Sequence, residues 1–208
     1  MVAIVLKGKE TFVEKFTKRH EPHEQVGDSE TALRYLIEGN KRYIEGRFAP
    51  RDTYARDREV LKEAQRPFAV VLTCSDSRDA PEIIFDQKLG DIFVIRNAGN
   101  IADVTALGSI EFAVGALKAP LVAVVGHSYC GAVLSALSGG LFTENLQTII
   151  DAIRENVDGS GSDDDAIWAN TRGVVRKIMG NSVVAESGAK VVGAFYDIVT
   201  GEVVFDKE

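Results

Sequence analysis

Two short stretches of this chain hold the residues best suited to chemistry. Cys74-Ser75-Asp76-Ser77-Arg78 follows an apolar, partly β-branched run from Phe68 to Thr73, and Gly126-His127-Ser128-Tyr129-Cys130-Gly131 follows a second such run, Leu121 to Val125. Each run reads as a buried strand, which delivers Cys74 at the end of one strand and His127 just past the end of another. Cys130 stands three residues beyond His127, close enough for both to reach one ion across a tight strand-to-helix turn. Strand ends that open on one crevice are where an α/β protein places its site. Two thiols and an imidazole there make a Cys2His set and leave a fourth tetrahedral position for water or a side chain. Mixed thiolate and imidazole donors favour zinc, which needs no redox partner. A buried cysteine is ordinarily only a small hydrophobe; what argues for a metal is that both cysteines, and the one histidine outside the first 27 residues, occupy post-strand positions. His20 and His23, in a leader without fixed geometry, read as solvent-exposed.

Asp76 and Arg78 matter through their spacing from Cys74. The Asp76 carboxylate is within reach of the same ion or of a water on it, and Arg78 can hold it in a charge-assisted pair. With Asp76 on the ion, the site has four protein ligands and is closed. With Asp76 held away by Arg78, water takes the fourth place and Asp76 accepts its hydrogen bond. The plainer reading is a local ion pair at a strand end. Zinc lowers the pKa of bound water from ~16 to the neutral range. Two thiolates already neutralise the cation, so this water should be less acidic than one on a three-histidine site, and activity should rise toward alkaline pH. No general acid for an amide or ester leaving group is evident, and no His-Glu-x-x-His helix. A small electrophile that needs only hydroxide fits that short list of polar groups.

The elements that must position these residues follow from pattern. A helix begins near Glu30, capped by Asp28 or Ser29, with Leu33, Leu36, Ile37, Asn40, Tyr43 and Ile44 on one face and Gly46 as its stop. A charged helix spans about 53–64, and Pro67 opens the first strand. Beyond Cys74 come a short helix at Pro81–Phe85, a strand at Ile92–Arg96 and a polar, flexible loop at Asn97–Asn100. Helices follow at Asp103–Leu117, Gly131–Leu137 and Thr143–Val157, the last capped by Thr143. After an acidic loop at 158–165, a helix starts near Asp165. Strands at Lys190–Tyr196 and Glu202–Phe205, joined by a short connection, make a hairpin. Parallel strands separated by helical crossovers predict an α/β fold: about four parallel strands plus an antiparallel C-terminal edge strand, flanked by helices. Residues 1–27 read as an N-terminal extension and 28–208 as one zinc-dependent catalytic domain.

Bulk composition narrows the function classes. With 24 basic and 31 acidic side chains the formal charge is -7, so no positive field for nucleic acid or anionic lipid is present. The longest apolar runs have strand length, not membrane-spanning length. Val2–Leu6 is too short for a secretory h-region, and two cysteines make no disulfide scaffold; the expectation is a cytoplasmic protein. The glycines match neither a dinucleotide fingerprint nor a phosphate loop.

Taken together, Cys74-Ser-Asp-Ser-Arg78, Pro81-Glu82, Gly90-Asp-Ile-Phe-Val-Ile-Arg-Asn-Ala-Gly-Asn100, Ser109-Ile-Glu-Phe-Ala-Val114 and Gly126-His-Ser-Tyr-Cys-Gly131 resemble the β-class carbonic anhydrases. The resemblance implies Zn2+ held by Cys74, His127 and Cys130, with Asp76 and Arg78 as gate and orienter. It also implies that Gln65 contacts the substrate or the zinc-bound water across a dimer interface. Zinc-bound hydroxide would attack CO2 to give bicarbonate, with the proton passing to buffer, in a homodimer or dimer of dimers whose N-terminal helices embrace. Val94, Ala98 and Tyr129 are candidates for the apolar wall that receives CO2. Members regulated by bicarbonate carry a tryptophan and a small apolar residue where this chain has Val71 and Asp79, and Asp79 would repel an anion from that pocket. The competing functions are hydrolysis of carbon disulfide or carbonyl sulfide on the same scaffold, a non-catalytic zinc-stabilised interaction module, and a redox or storage use of the thiols.

Overall fold

The computed structural model describes residues 26–49, 54–157 and 159–206. Its strands are β1 (Ala69–Cys74), β2 (Ile92–Asn97), β3 (Leu121–His127), β4 (Lys190–Tyr196) and β5 (Val203–Phe205), in the spatial order β2-β1-β3-β4-β5. β1 to β4 run parallel, and β5 returns antiparallel beside β4. The sheet therefore has the composition expected from the apolar runs. β1 and β3 are buried along their whole length, as central parallel strands covered on both faces must be. Val70, Val71 and Leu72 are each 0% exposed, and burying such side chains contributes about 1.5–3 kcal/mol apiece. The strand that ends on Cys74 is thereby held without slack.

The helices are α1 (Ser29–Ile44), α2 (Tyr54–Leu61), α3 (Pro81–Ile84), α4 (Val104–Gly115), α5 (Gly131–Ser138), α6 (Glu144–Val157), α7 (Asp163–Met179) and α8 (Ser182–Ser187). Side-chain caps fix several starts: Asp28 accepts from the Thr31 amide, Asp103 from Ala106, Ser162 from Asp165, and Asn181 from Val183 and Val184. Ser162, rather than an aspartate, is thus the cap of α7, and its first turn carries Asp163, Asp164 and Asp165 against the positive end of the helix. The short α8 has no counterpart in the elements that pattern predicts.

Strand alternation divides the core into two layers. On one face Ala69, Val71, Ala123, Val125, Val192, Ala194 and Tyr196 pack against Ala32 and Leu36 of α1 and against Ile84 and Phe85. On the other, Val70, Leu72, Val122 and Val124 meet α4, α7 and α8. Beyond the strand ends that second layer continues with Cys74, Ile101 and Cys130 under α5, α6 and α7. The buried stripe of α1 is Ala32, Leu36, Gly39 and Asn40, rotated from the expected one, so that Ile37 and Ile44 remain 48% exposed. Gly39 is the reason. A Cβ there would stand 1.8 Å from the Phe85 carbonyl oxygen, so the helix makes its closest approach at this residue. Asn40 then donates to the carbonyls of Ile84 and Gly201 and accepts from the Val203 amide, which ties α1 to the β4–β5 hairpin.

Candidate metal centre

The chain runs from β1 outward to β2 and back across to β3, so the sheet changes direction between β1 and β3. Cys74 closes β1, His127 closes β3, and the C-terminal ends of these neighbours form the crevice where an α/β sheet puts its site. His127 is the last paired residue of β3, opposite Tyr196 of β4, rather than lying past the strand. The following residue is tied down as well: Ser128 donates its amide to the Tyr196 carbonyl at 2.9 Å, and its Oγ accepts from the Ile198 amide at 3.0 Å. Tyr129 turns the chain in the left-handed region, φ 59°, and Cys130 becomes the N-cap of α5. That reversal brings a thiol three residues from the imidazole back toward it.

The result is a buried cluster in which ligand atoms of Cys74, His127 and Cys130 all lie within 4.8 Å of one another. The two Sγ atoms are 3.9 Å apart. Two Zn–S bonds of about 2.3 Å at a tetrahedral angle place sulfurs about 3.8 Å apart, so the pair is already spaced for one ion. His127 Nδ1 lies 2.9 Å from the Ser128 carbonyl oxygen. As an N–H donor to that oxygen, it leaves Nε2 as the free lone pair, the usual arrangement of a metal-ligating imidazole. Nε2 is buried and meets no hydrogen-bond partner. An orphaned acceptor of this kind beside two thiols is a group built for a cation. The residues present fit zinc.

Electrostatics agree. The first proton leaves the thiol pair easily: Cys74 is drawn down, chiefly by the hydrogen bond from Cys130 and against the cost of burial, with further help from the Gly99 amide. Cys130 is pushed up, first by Cys74 and then by burial, while the amides of Val133 and Ala132 at the start of α5 act to lower it. A dication between the sulfurs removes the repulsion that holds the second proton.

Asp76 lies just outside this cluster. Arg78 clamps it through Nε to Oδ1 at 2.9 Å, Nη2 to Oδ2 at 2.7 Å and its own amide to Oδ1 at 2.9 Å. Of the two arrangements open to Asp76, this geometry is the one with the carboxylate held away from the ligand set. The hydrogen bonds from Arg78 hold the Asp76 carboxyl well below the usual carboxylate range. Arg96, which pattern alone marks only as a strand residue, supports the same loop by donating to the carbonyl oxygens of Cys74 at 3.0 Å and Asp76 at 2.7 Å. The Asn97–Asn100 segment, expected to be flexible, is instead fixed. Asn97 Oδ1 accepts from the Ile101 amide, its Nδ2 donates to the Ile101 carbonyl, and the Gly99 amide donates to Cys74 Sγ.

Asp79 does not face a surface pocket. The turn closed by its amide on the Asp76 carbonyl folds it back under β1, where it is 1% exposed and pairs with Thr73 Oγ1. Gln65 is exposed in the segment before β1 and makes no hydrogen bond with the cluster. It precedes Ala69, at the opposite end of β1 from Cys74, and six residues of strand span about 17 Å. Among the wall candidates, Ala98 belongs to the turn beside Cys74, whereas Val94 pairs with Val71 and faces the other side of the sheet. Tyr129 is 60% exposed and lines a polar depression of about 460 Å³ with Ser128, Ser162, Asp163, Asp164 and Asp197. His20 and His23 lie outside the described residues.

A family model described as carbonic anhydrase matches residues 69–203, a span that holds the whole cluster. The chain belongs to the carbonic anhydrase family. Carbonic anhydrase 2 of Mycobacterium tuberculosis is 36% identical over 187 residues, 83% of this chain and 90% of that protein. A carbonic anhydrase of Mycolicibacterium smegmatis is 50% identical over 107 residues, about half of each chain (51% and 52%). Among solved structures, a tetrameric β-carbonic anhydrase of Sordaria macrospora superposes with a TM-score of 0.66 at 26% identity, covering 86% of this chain and 98% of that one. A β-carbonic anhydrase of Aspergillus fumigatus gives 0.67 at 27% identity over 84% and 90%. The buried triad, the mostly parallel sheet and its antiparallel last strand of this chain are those of the β class of that family.

Proposed function

We propose that this protein catalyses the reversible hydration of CO2 to bicarbonate and a proton. The observation that carries the reading is the convergence of Cys74, Cys130 and the unpartnered His127 Nε2 at the switch point of the sheet. Zn2+ held by these three residues supplies the Lewis acidity that makes water a nucleophile near neutral pH. The remaining work falls to side chains of this chain. Asp76, kept ionised by Arg78, is an acceptor across the working pH range and orients the attacking water by taking one of its hydrogen bonds. Arg78, by pairing with that carboxylate, would keep it from binding the metal, while Arg96 holds the backbone of the loop in register. The reaction releases its proton to solvent buffer, since the one histidine among the described residues is His127 itself.

Gln65 serves a site other than its own. Its position at the far end of β1, exposed, supports donation of its amide to substrate in a second copy of the chain. Tyr35, Ile37, Ile44 and Phe48, large apolar side chains left exposed on and just after α1, support a homodimer or dimer of dimers built on that helix. Two reduced, buried thiols support a cytoplasmic setting, and the net charge of -7 speaks against nucleic-acid partners. Among the described residues no helix is long and apolar enough to cross a membrane. Residues 28–208 form the catalytic unit, with 1–27 as an extension. The deciding experiment pairs metal analysis with stopped-flow CO2 hydration. One zinc per chain with hydration at pH 8.5 is expected; zinc with no hydration would move the reading to a structural zinc module, and sulfide release from carbon disulfide outpacing hydration would move it to the hydrolase.

A further inference from the structure

The Gly99 amide donates to Cys74 Sγ at 3.4 Å, and the turn that aims it is built with more care than a connecting loop needs. Gly99 sits at φ 72°. A Cβ there would lie 2.5 Å from Ile153 Cδ1 of α6 and 3.3 Å from Ala132 Cβ, so the turn takes only glycine and is pressed against its neighbours. The Asn97 side chain closes the two ends of this turn through Ile101. Its middle is held from elsewhere: Asn170 Nδ2 of α7 donates to the Gly99 carbonyl at 2.9 Å, across 71 residues of sequence.

Asn170 is itself fixed. It is 0% exposed, and its Oδ1 accepts from Asn156 Nδ2 of α6 at 3.2 Å. Asn156 comes this close because Gly173, one turn along α7, has no side chain; a Cβ at Gly173 would stand 1.9 Å from Asn156 Oδ1. Two asparagines and one glycine therefore make one hydrogen-bonded chain, from Asn156 through Asn170 and Gly99 to the sulfur, and Gly173 leaves the room for it. An apolar side chain would fill the Asn170 space without the cost of burying an amide. Packing alone does not account for an asparagine there.

We propose that Asn170 is a positioning residue for the metal centre: by holding the Gly99 carbonyl it keeps the left-handed turn in the one orientation that points the Gly99 N–H at Cys74 Sγ. The inference rests on the reading of Cys74 as a zinc ligand. The amide N–H favours the thiolate over the thiol, fixes the direction of the sulfur and withdraws charge from it. Hydrogen bonds one step behind a metal ligand typically change metal affinity by about 10–100-fold when removed.

The test uses full-length wild type, Asn170→Leu, which keeps most of the volume but has no donor, and Asn156→Ala, which removes only the outer link. Zinc stoichiometry, zinc affinity by competition with a chelator, and the thiolate-to-cobalt charge-transfer absorption of the cobalt-substituted proteins are measured. Wild type should bind one zinc per chain. Asn170→Leu should keep that stoichiometry, bind zinc about 10–100-fold more weakly and move the charge-transfer band to lower energy, because the sulfur has lost a donor. Asn156→Ala should show a smaller change in the same directions. A role confined to helix packing would lower the melting temperature and leave affinity and spectrum alone. Folded Asn170→Leu with wild-type affinity and an unmoved band overturns the proposal. Should Asn170→Leu not fold, Asn156→Ala decides by the same two readouts, a shift supporting the proposal and none overturning it. Wild-type protein that binds no zinc would instead refute the reading of the site on which it rests.

Discussion

Asp79→Asn should make this protein more stable at neutral pH, and by an amount that disappears in acid. Asp79 is 1% exposed and faces Thr73 Oγ1, which also lies 3.1 Å from the Val125 carbonyl oxygen. Thr73 has one hydroxyl hydrogen, so an ionised Asp79 and the Val125 carbonyl compete for it. A protonated Asp79 resolves the conflict by donating to Thr73, which then donates to Val125. Burial is the main reason the Asp79 carboxyl is raised from 3.8 to about 6, with the Thr73 hydrogen bond opposing. A buried acid with a raised folded pKa binds protons more tightly when folded than unfolded. Stability is therefore lost as pH rises from about 4 through about 6, and the cost is complete above that window. About two pK units correspond to about 3 kcal/mol at pH 7.5. The amide that replaces the carboxyl in Asp79→Asn cannot ionise, and its NH2 can donate to Thr73 as the protonated acid does. Urea unfolding of metal-free wild type and variant at pH 7.5 and 4.5 measures the difference without metal loss entering. Relative to the variant, wild type should recover about 2 kcal/mol on going to pH 4.5, the part of the window crossed by then. A stability difference that is the same at both pH values within about 0.5 kcal/mol, the reach of an ordinary surface substitution, would refute the argument.

Cys74→Ala or His127→Ala should abolish both stoichiometric zinc and CO2 hydration, read by metal analysis and stopped flow on the same samples. Asp76→Ala should retain one zinc per chain while losing about 10²-fold or more in turnover, since on the proposed mechanism it removes the group that orients the reacting water. Tyr129→Asn should raise stability by about 0.5–1 kcal/mol in thermal unfolding, because asparagine accepts the left-handed conformation that a bulky side chain resists, and the exposed ring has little packing to lose. The pH–rate profile should climb above about pH 7 along a single ionisation and should not move in Asp79→Asn, because that carboxyl, pushed up by burial to about 6, pairs with Thr73 rather than with the ligand cluster; a profile that followed Asp79 would place that carboxyl in the reaction.

Much of the centre is legible in the sequence because buried parallel strands appear as unbroken apolar runs, and the chemistry begins where each run stops. Phe68–Thr73 and Leu121–Val125 are such runs, with Cys74 and His127 at their ends; the pairing of β1 with β3, which skips β2 in the chain, appears only in the order of the sheet. What escapes depends on contacts that sequence order hides. The Asn97–Asn100 turn carries the polar, glycine-bearing composition of a mobile loop, yet it is held by Asn97 from within and Asn170 from α7. Periodicity misplaces the buried face of α1 because a glycine scores as no hydrophobe, although Gly39 is where the helix comes closest to the Phe85 backbone at the end of α3. Helix α8 has six residues and follows directly on Gly180-Asn181, which with Ser182 makes a string that also spells a turn. Arg96 sits in an apolar strand at the edge of the sheet, and nothing local says that its guanidinium folds over onto the Cys74–Asp76 backbone.

Asp76 and Asp79 show how finely three residues can divide two identical side chains. Cys74 and Thr73 leave the end of β1 on opposite faces of the sheet. The turn that follows sends Asp76 to the mouth of the crevice, where Arg78 pairs with it, and sends Asp79 back beneath Thr73, where no cation pairs with it among the contacts described. One is driven down and the other up, the first by a guanidinium and the second by burial. Exchanging the two environments would defeat both. A carboxyl at the mouth that held its proton up to pH 6 could not act as a constant acceptor, and an arginine drawn into the core beneath β1 would displace the packing that keeps Cys74 in place. Asp76 thus remains charged because Arg78 pairs with it, while the turn closed by the Asp79 amide on the Asp76 carbonyl carries the second carboxyl away from the ligand cluster.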